Sequence, residues 1–264
     1  MKKETKSFIS FGIAEKGLIF NEEKHSKYPL KYYNIINGEG LKTQNDKTYF
    51  VFVYQGEALL GIDCGIKSIL PKDTYFSHHG YFCLTGQFKA IAIEVFVEKG
   101  EFIKNKYKAY TTIGGKVEDT GRLKYIDGCT DSLLISPVKK GDPCLNHLHF
   151  PKQITQTPHT HPSHRIGLVI RGEGECVTPF GTLPLMEGVI FVIKEYNGTD
   201  MHKGIDGLMY EAGTHKFDTK NNSMDVIAFH PDSDFGAEDE FHPMINRTIV
   251  KGVSANKLED IKTK

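Results

Sequence analysis

Residues Gln156–Gly181 read QTPHTHPSHRIGLVIRGEGECVTPFG, and two patterns overlap in them. In the first, His159 and His161, separated by one residue, precede an apolar run that ends at Gly172. Side chains of an extended chain alternate between faces, so positions i and i+2 share one and both imidazoles can reach a single metal ion. The second pattern is a repeat. RIGLVIRGEGECVTPFG, from Arg165, matches YFVFVYQGEALLGIDCG, from Tyr49 and 116 residues earlier, with Gly-Glu closing an apolar strand in both. A second apolar strand follows each, KDTYF after Pro71 and EGVIFVI after Met186, so two copies of one β unit are the economical reading.

Further short β-rich runs, EALLGI, AIAIEVFV, DSLLISPV and DVIAF, are bounded by Gly, Pro, Asp and Asn, and no long segment has helical period. With 26 glycines to turn the corners, the pattern predicts a mostly β chain of sandwich or barrel type rather than βαβ units. The linking stretch from Glu98 to Tyr125 is rich in Lys and Gly and poor in apolar periodicity, which places a domain boundary near residue 120. The expected units are residues 1–120 and 121–264, and 39% hydrophobic residues suffice for a core in each.

Lys+Arg and Asp+Glu both number 33, so no net field favours nucleic acid or an anionic membrane, and a small molecule is the expected partner. No apolar run reaches the length of a bilayer span, and MKKETKSFIS lacks the apolar core of a leader, so a soluble, cytoplasmic protein is expected. Five scattered cysteines without a C-x-x-C pair read as buried free thiols; Cys83 and Cys176 lie inside apolar runs.

The order H-x-H, strand, G-E-G-E, with Gly172 eleven positions after His161, resembles the first motif of the cupins, and EAGTHKFDT (Glu211–Thr219) resembles their second. The resemblance implies two tandem cupin barrels, of the double-stranded β-helix or jelly-roll kind, and a divalent metal in the second, held by His159, His161 and His215. Iron(II) is the first expectation for that ion; imidazole also suits zinc, nickel and manganese. The glutamate ligand of the family falls at Arg165, a permanent cation that cannot bind a metal. Either His164 or a residue from elsewhere replaces it, or the site is a neutral three-histidine one, similar to those of the gentisate-type, diketone-cleaving and thiol dioxygenases. The gentisate-type enzymes carry an Arg two residues further along this strand, hence on the same face. By that likeness Arg165 enters the barrel and holds a substrate carboxylate; an internal salt bridge is the equal alternative.

An insertion, KEYNGTDMHKGIDGLMY, separates GVIFVI from the second motif, and a loop of that length is a candidate lid. His202 within it is a candidate fourth ligand or acid–base group, and Tyr196 and Tyr210 are candidate hydroxyl donors. The run AFHPDSDFGAEDEFHPMINRT holds His230, Asp232, Asp234, Asp239, Glu240 and His242 and reads as a polar turn fixed by Pro243 and Asn246. In the first copy the ligand positions carry Thr43 and Asn45, and His78 and His79 are adjacent and so face opposite ways, which predicts a barrel without metal. The resulting expectation is an Fe(II) dioxygenase-type oxidoreductase acting on a small carboxylate-bearing or bidentate substrate. The alternatives are a non-oxidative metal-dependent isomerase or lyase, or a non-catalytic small-molecule-binding protein; a homodimer is open.

Overall fold

Long strands that bend once at a glycine are what the repeated sequence builds. The computed structural model describes residues 2–62, 65, 67–104, 106–107, 110–196 and 198–233, and the backbone of 249–250 and 253–254. The chain opens with β1 (Lys3–Glu4) and β2 (Phe8–Ile13). A seven-stranded antiparallel sheet follows, from β3 (Gly17–Glu22), β4 (Leu30–Ile36), β5 (Thr48–Ile62), β6 (Lys67–Pro71), β7 (Thr74–His79), β8 (Phe82–Val95) and β9 (Thr112–Gly115). Its order is β3-β4-β8-β5-β7-β9, with β6 on β5, and one short helix, α1 (Gly100–Lys104), lies between β8 and β9.

The next strands are β10 (Leu123–Lys124), β11 (Thr130–Ile135), β12 (Cys144–Phe150), β13 (Arg165–Thr178), β14 (Gly181–Met186) and β15 (Val189–Ile193). After a small hairpin, β16 (Met201–Lys203) and β17 (Met209–Glu211), come β18 (Lys216–Asp218) and β19 (Met224–His230). The second sheet runs β1-β2-β15-β13-β19-β12-β11-β10, with β14 and β18 also on β13. Residues 1–233 form one compact unit and 234–264 another, in which β20 (Ile249–Val250) pairs with β21 (Val253–Ser254). No described helix is long and apolar enough to cross a membrane.

The repeat is visible in the bend. The pairing of β5 with β8 shifts register between Val53 and Gln55, and that of β13 with β19 shifts between Val169 and Arg171. Each shift is followed by a glycine in left-handed conformation, Gly56 (φ 74°) and Gly172 (φ 71°). A Cβ there would stand 2.0 Å from the Gln87 carbonyl oxygen and 1.9 Å from that of Ser223, so no other residue fits. Before the bend β5 pairs with β7 and β13 with β15; beyond it β5 pairs with β6 and β13 with β14. The strand thus passes from one layer to the other and closes a barrel.

Each barrel has its own interior, around Tyr49, Val51, Phe76 and Leu60 in the first and Phe150, Val169, Leu185 and Phe217 in the second. The outward faces of the same strands meet in a third cluster, where Phe50, Phe52, Ile91 and Ile93 pack with Ile166, Leu168, Ile170, Ile227 and Phe229. Burial on both faces is why YFVFVY and RIGLVI read as continuous apolar runs rather than alternating ones. Residues 3–13, read from the sequence with the first barrel, pair with the second through β2 and β15, covering an otherwise open strand edge. The chain leaves the first sheet after Gly115 and enters the second at Leu123. Cys129 and Cys176 are buried free thiols and Cys144 is buried too, whereas Cys83 is exposed, because the inward positions of β8 are taken by its neighbours Phe82 and Leu84. Cys64 lies outside the described residues.

Candidate metal centre

His159 sits on the extended segment before β13, and its backbone forms an isolated bridge with His215, each donating its N–H to the other's carbonyl at 3.0 Å. Directly opposed residues of an antiparallel pair project to one face, and His161, two residues on, joins them. The ring centroids lie 4.5 Å apart for His159–His215, 5.1 Å for His159–His161 and 5.2 Å for His161–His215. Their donor atoms all fall within 4.8 Å of one another.

Second contacts fix the tautomers. His159 Nδ1 donates to the Thr157 carbonyl and His215 Nδ1 to that of Gly213, both at 2.8 Å, which leaves each Nε2 with a free lone pair. The Nε2 of His215 is fully buried and has no hydrogen-bond partner among the described residues. Desolvation by burial, reinforced by the neighbouring His159, pushes the His215 imidazole down to about 3. Burial likewise lowers His159, and lowers His161 well below the imidazole range, with the Arg165 charge adding to it. Three neutral rings with convergent lone pairs, one of them otherwise orphaned, fit a divalent cation.

Arg165, the first residue of β13, is buried and lines the same cavity. Its guanidinium donates to Asp232 Oδ1 at 2.7 Å and to Ser163 Oγ, so the internal salt bridge is present, and its ion-pair partner Asp232 is a residue read from the sequence as part of a polar turn. The cavity is otherwise mainly apolar, with Tyr125, Leu148, Phe191 and Phe217 among its walls. Gly167 makes room for it: the Phe191 ring lies where a Cβ would be, 2.2 Å from the nearest ring atom.

His164 does not join the three. One residue before Arg165, it projects to the opposite side, where its ring packs beside Phe20 and His25 and its Nδ1 accepts the Glu195 N–H at 3.0 Å. His202 also lies apart, because β16 and β17 fold onto each other; its ring packs on Phe180, 6.2 Å between centroids. Tyr210 is spent within the same hairpin, donating its hydroxyl to Asp206. Neither lines the cavity, and Tyr196 meets the site through its backbone, donating its N–H to the His161 carbonyl at 2.8 Å. Asp234, Asp239, Glu240, His242, Pro243 and Asn246 lie outside the described residues.

His230, at the end of β19, is a cavity residue that sequence reasoning placed in a turn. The signal was there: along DVIAFH, Val226, Ala228 and His230 share a face, and the first two are buried in the barrel interior. Also missed was a hub on the far side of that sheet. Asp225 accepts from His147 Nε2 at 2.8 Å and His149 Nδ1 at 2.9 Å through Oδ1, and from Arg171 Nε at 3.2 Å through Oδ2. In the first barrel, Thr43 donates its hydroxyl to the Phe82 carbonyl, His78 bonds Thr111 and His79 bonds Thr48. Among the described residues the one cluster of three or more metal-ligating groups is that of His159, His161 and His215.

No family model and no curated protein matches the sequence. Solved structures do match its fold. A cupin 2 conserved barrel domain protein from Leptotrichia buccalis aligns over 87% of this chain and 91% of its own, with a TM-score of 0.51 and 11% identity. The chain has the cupin fold. A second cupin-like match, a putative glyoxylate-induced protein from Pseudomonas aeruginosa, covers 90% of this chain and 94% of its own, with a TM-score of 0.61 and 9% identity. A salicylate 1,2-dioxygenase from Pseudaminobacter salicylatoxidans covers 81% and 75%, with a TM-score of 0.53 and 11% identity. Within this fold Gly172 marks the bend of β13, and the donor atoms of His159, His161 and His215 lie together.

Proposed function

We propose that the second barrel is a metal-dependent enzyme site, an Fe(II) dioxygenase-type oxidoreductase acting on a small carboxylate-bearing or bidentate substrate. The observation that carries this is the triad: three neutral imidazoles converging at a mainly apolar cavity, with Arg165 where a carboxylate ligand would stand. His159, His161 and His215 would hold the iron(II) ion, which would supply redox chemistry toward O2. The protein's own share is positional. Asp127 braces the H-x-H segment by accepting the Thr157 N–H, and the bridge between His159 and His215 keeps the two ligand segments in step. Arg165, steadied by Asp232, offers a fixed cation to a carboxylate, while Phe191, Phe217 and Leu148 exclude water and suit a flat, apolar substrate body.

The fold is shared with a salicylate 1,2-dioxygenase, at an identity that carries the fold alone. The test is elemental analysis of the purified chain together with O2 uptake in the presence of small aromatic and aliphatic acids. Stoichiometric iron with acid-dependent O2 consumption is the expected result. Zinc, nickel or manganese without O2 uptake favours an isomerase or lyase, and absence of metal favours a binding protein.

A further inference from the structure

His230 is the polar group of the cavity that the proposed function leaves unused. Comparison of the two barrels shows why its position matters. Phe50 of β5 pairs with Ile93 of β8, and Ile166 of β13, 116 residues on, pairs with Phe229 of β19. The adjacent positions are therefore Tyr49 with Glu94 in the first barrel and Arg165 with His230 in the second. In the first barrel the two satisfy one another: the Tyr49 hydroxyl donates to Glu94 Oε2 at 3.1 Å, and the Tyr49 ring packs edge-on against Phe82 in the filled interior. In the second barrel Arg165 turns to Ser163 and Asp232 instead. His230, the last residue of β19, lines the cavity. Burial, with Arg165 nearby, lowers its pKa well below the imidazole range, so the ring is neutral.

The two groups suit different substrate atoms. A guanidinium is a permanent cation and takes a carboxylate; a neutral imidazole takes one hydrogen bond from a hydroxyl. We propose that His230 is a substrate-contacting residue that accepts the hydroxyl proton of a small acid, in a hydrogen bond, while the acid's neighbouring carboxylate meets Arg165, so that the cavity selects hydroxy acids over their deoxy counterparts. The inference rests on the metal-centre reading above and names the substrate class of that site.

The test uses the full chain loaded with zinc, which binds without O2 chemistry, and calorimetric titration with salicylate and with benzoate. The wild type binds salicylate several-fold more tightly than benzoate. His230→Ala weakens salicylate about tenfold, as expected for loss of a buried hydrogen bond, and leaves benzoate and the zinc content unchanged. His230→Gln, which retains an acceptor oxygen, recovers part of the loss. Equal weakening of both acids, or loss of zinc with the affinity, marks a structural or ligating role and overturns the proposal, as does a wild type with no preference for salicylate. A wild-type chain that retains no zinc overturns the metal-centre reading as well, and metal content alone tells that failure from the others.

Discussion

At the metal site each ligand has a separate support, so the consequences of removing one can be ordered. His215 is the deepest of the three rings, and its Nε2 has no hydrogen-bond partner among the described residues. His215→Ala is expected to abolish metal retention, measured by elemental analysis, while the metal-free protein melts within a few degrees of wild type, since barrel closure does not run through the ring. The pH dependence has a definite sign. Folded-state imidazoles held below the ordinary value are neutral where the unfolded ones gain protons, so stability is retained above about pH 6.5 and falls on acidification below it. Each such ring adds about 1.4 kcal/mol per pH unit to the slope until its own lowered pKa is reached. Metal-free wild type therefore loses stability between pH 6.5 and 4, and a chain with His159, His161 and His215 all replaced by Gln has a flatter profile in urea titrations. At Asp225 the effect has a different origin. Burial alone would raise this carboxyl, yet hydrogen bonds from His147 and His149 and the Arg171 charge hold it below the usual range. Its contribution is full above the ordinary carboxylate pKa and fades as pH falls through the depressed one. Asp225→Ala leaves three donors without their acceptor and is expected to cost about 3–5 kcal/mol in denaturant unfolding.

Among the elements, the bent strands carry the architecture, and they show what could and could not be read in advance. The apolar rhythm and the 116-residue spacing were legible because local chemistry fixes them: only glycine fits the positive φ at Gly56 and Gly172, where the strand read as closing bends instead and runs on to Ile62 and Thr178. Either position changed to Ala meets a backbone carbonyl that cannot move aside, and thermal denaturation is expected to fall by ten degrees or more in each variant. The H-x-H pair was legible for the same reason, since alternation needs no knowledge of distant partners. Of the alternatives for a fourth ligand, His164 faces away from the three, because adjacency in sequence is opposition in an extended chain. A long insertion suggests a lid, whereas here β16 pairs with β17 and the hairpin is tied to the β13–β14 turn, the Ile205 N–H donating to the Pro179 carbonyl, which leaves His202 and Tyr210 away from the cavity. His202→Ala and Tyr210→Phe are accordingly expected to leave metal content unchanged, and substrate-dependent O2 uptake within about twofold. The pairing of β2 with β15 was illegible, because it joins residues about 180 positions apart and leaves no local trace.

For the whole molecule, the shared cluster decides whether two barrels unfold as one. Ile166, Leu168, Ile170, Ile227 and Phe229 are buried against the outer face of the first sheet. Removing that cover exposes five large apolar side chains at about 1.5–3 kcal/mol each, roughly 10 kcal/mol together. That sum rivals the 5–15 kcal/mol that holds a typical domain folded. The loss of β2 from the edge at β15 would add to it. A fragment beginning at residue 116 is therefore expected to be unfolded or aggregated, although it contains His159, His161 and His215. The intact chain is expected to show a single calorimetric transition whose calorimetric and van't Hoff enthalpies agree over residues 1–233. Two resolved transitions, or a soluble fragment retaining stoichiometric metal, would show that each barrel is self-sufficient. The metal centre would then owe nothing to the first barrel. If the single transition is observed, the first barrel contributes by a physical route that needs no ligand of its own: it covers the outer face of the strands β13 and β19, whose inner faces carry Arg165 and His230.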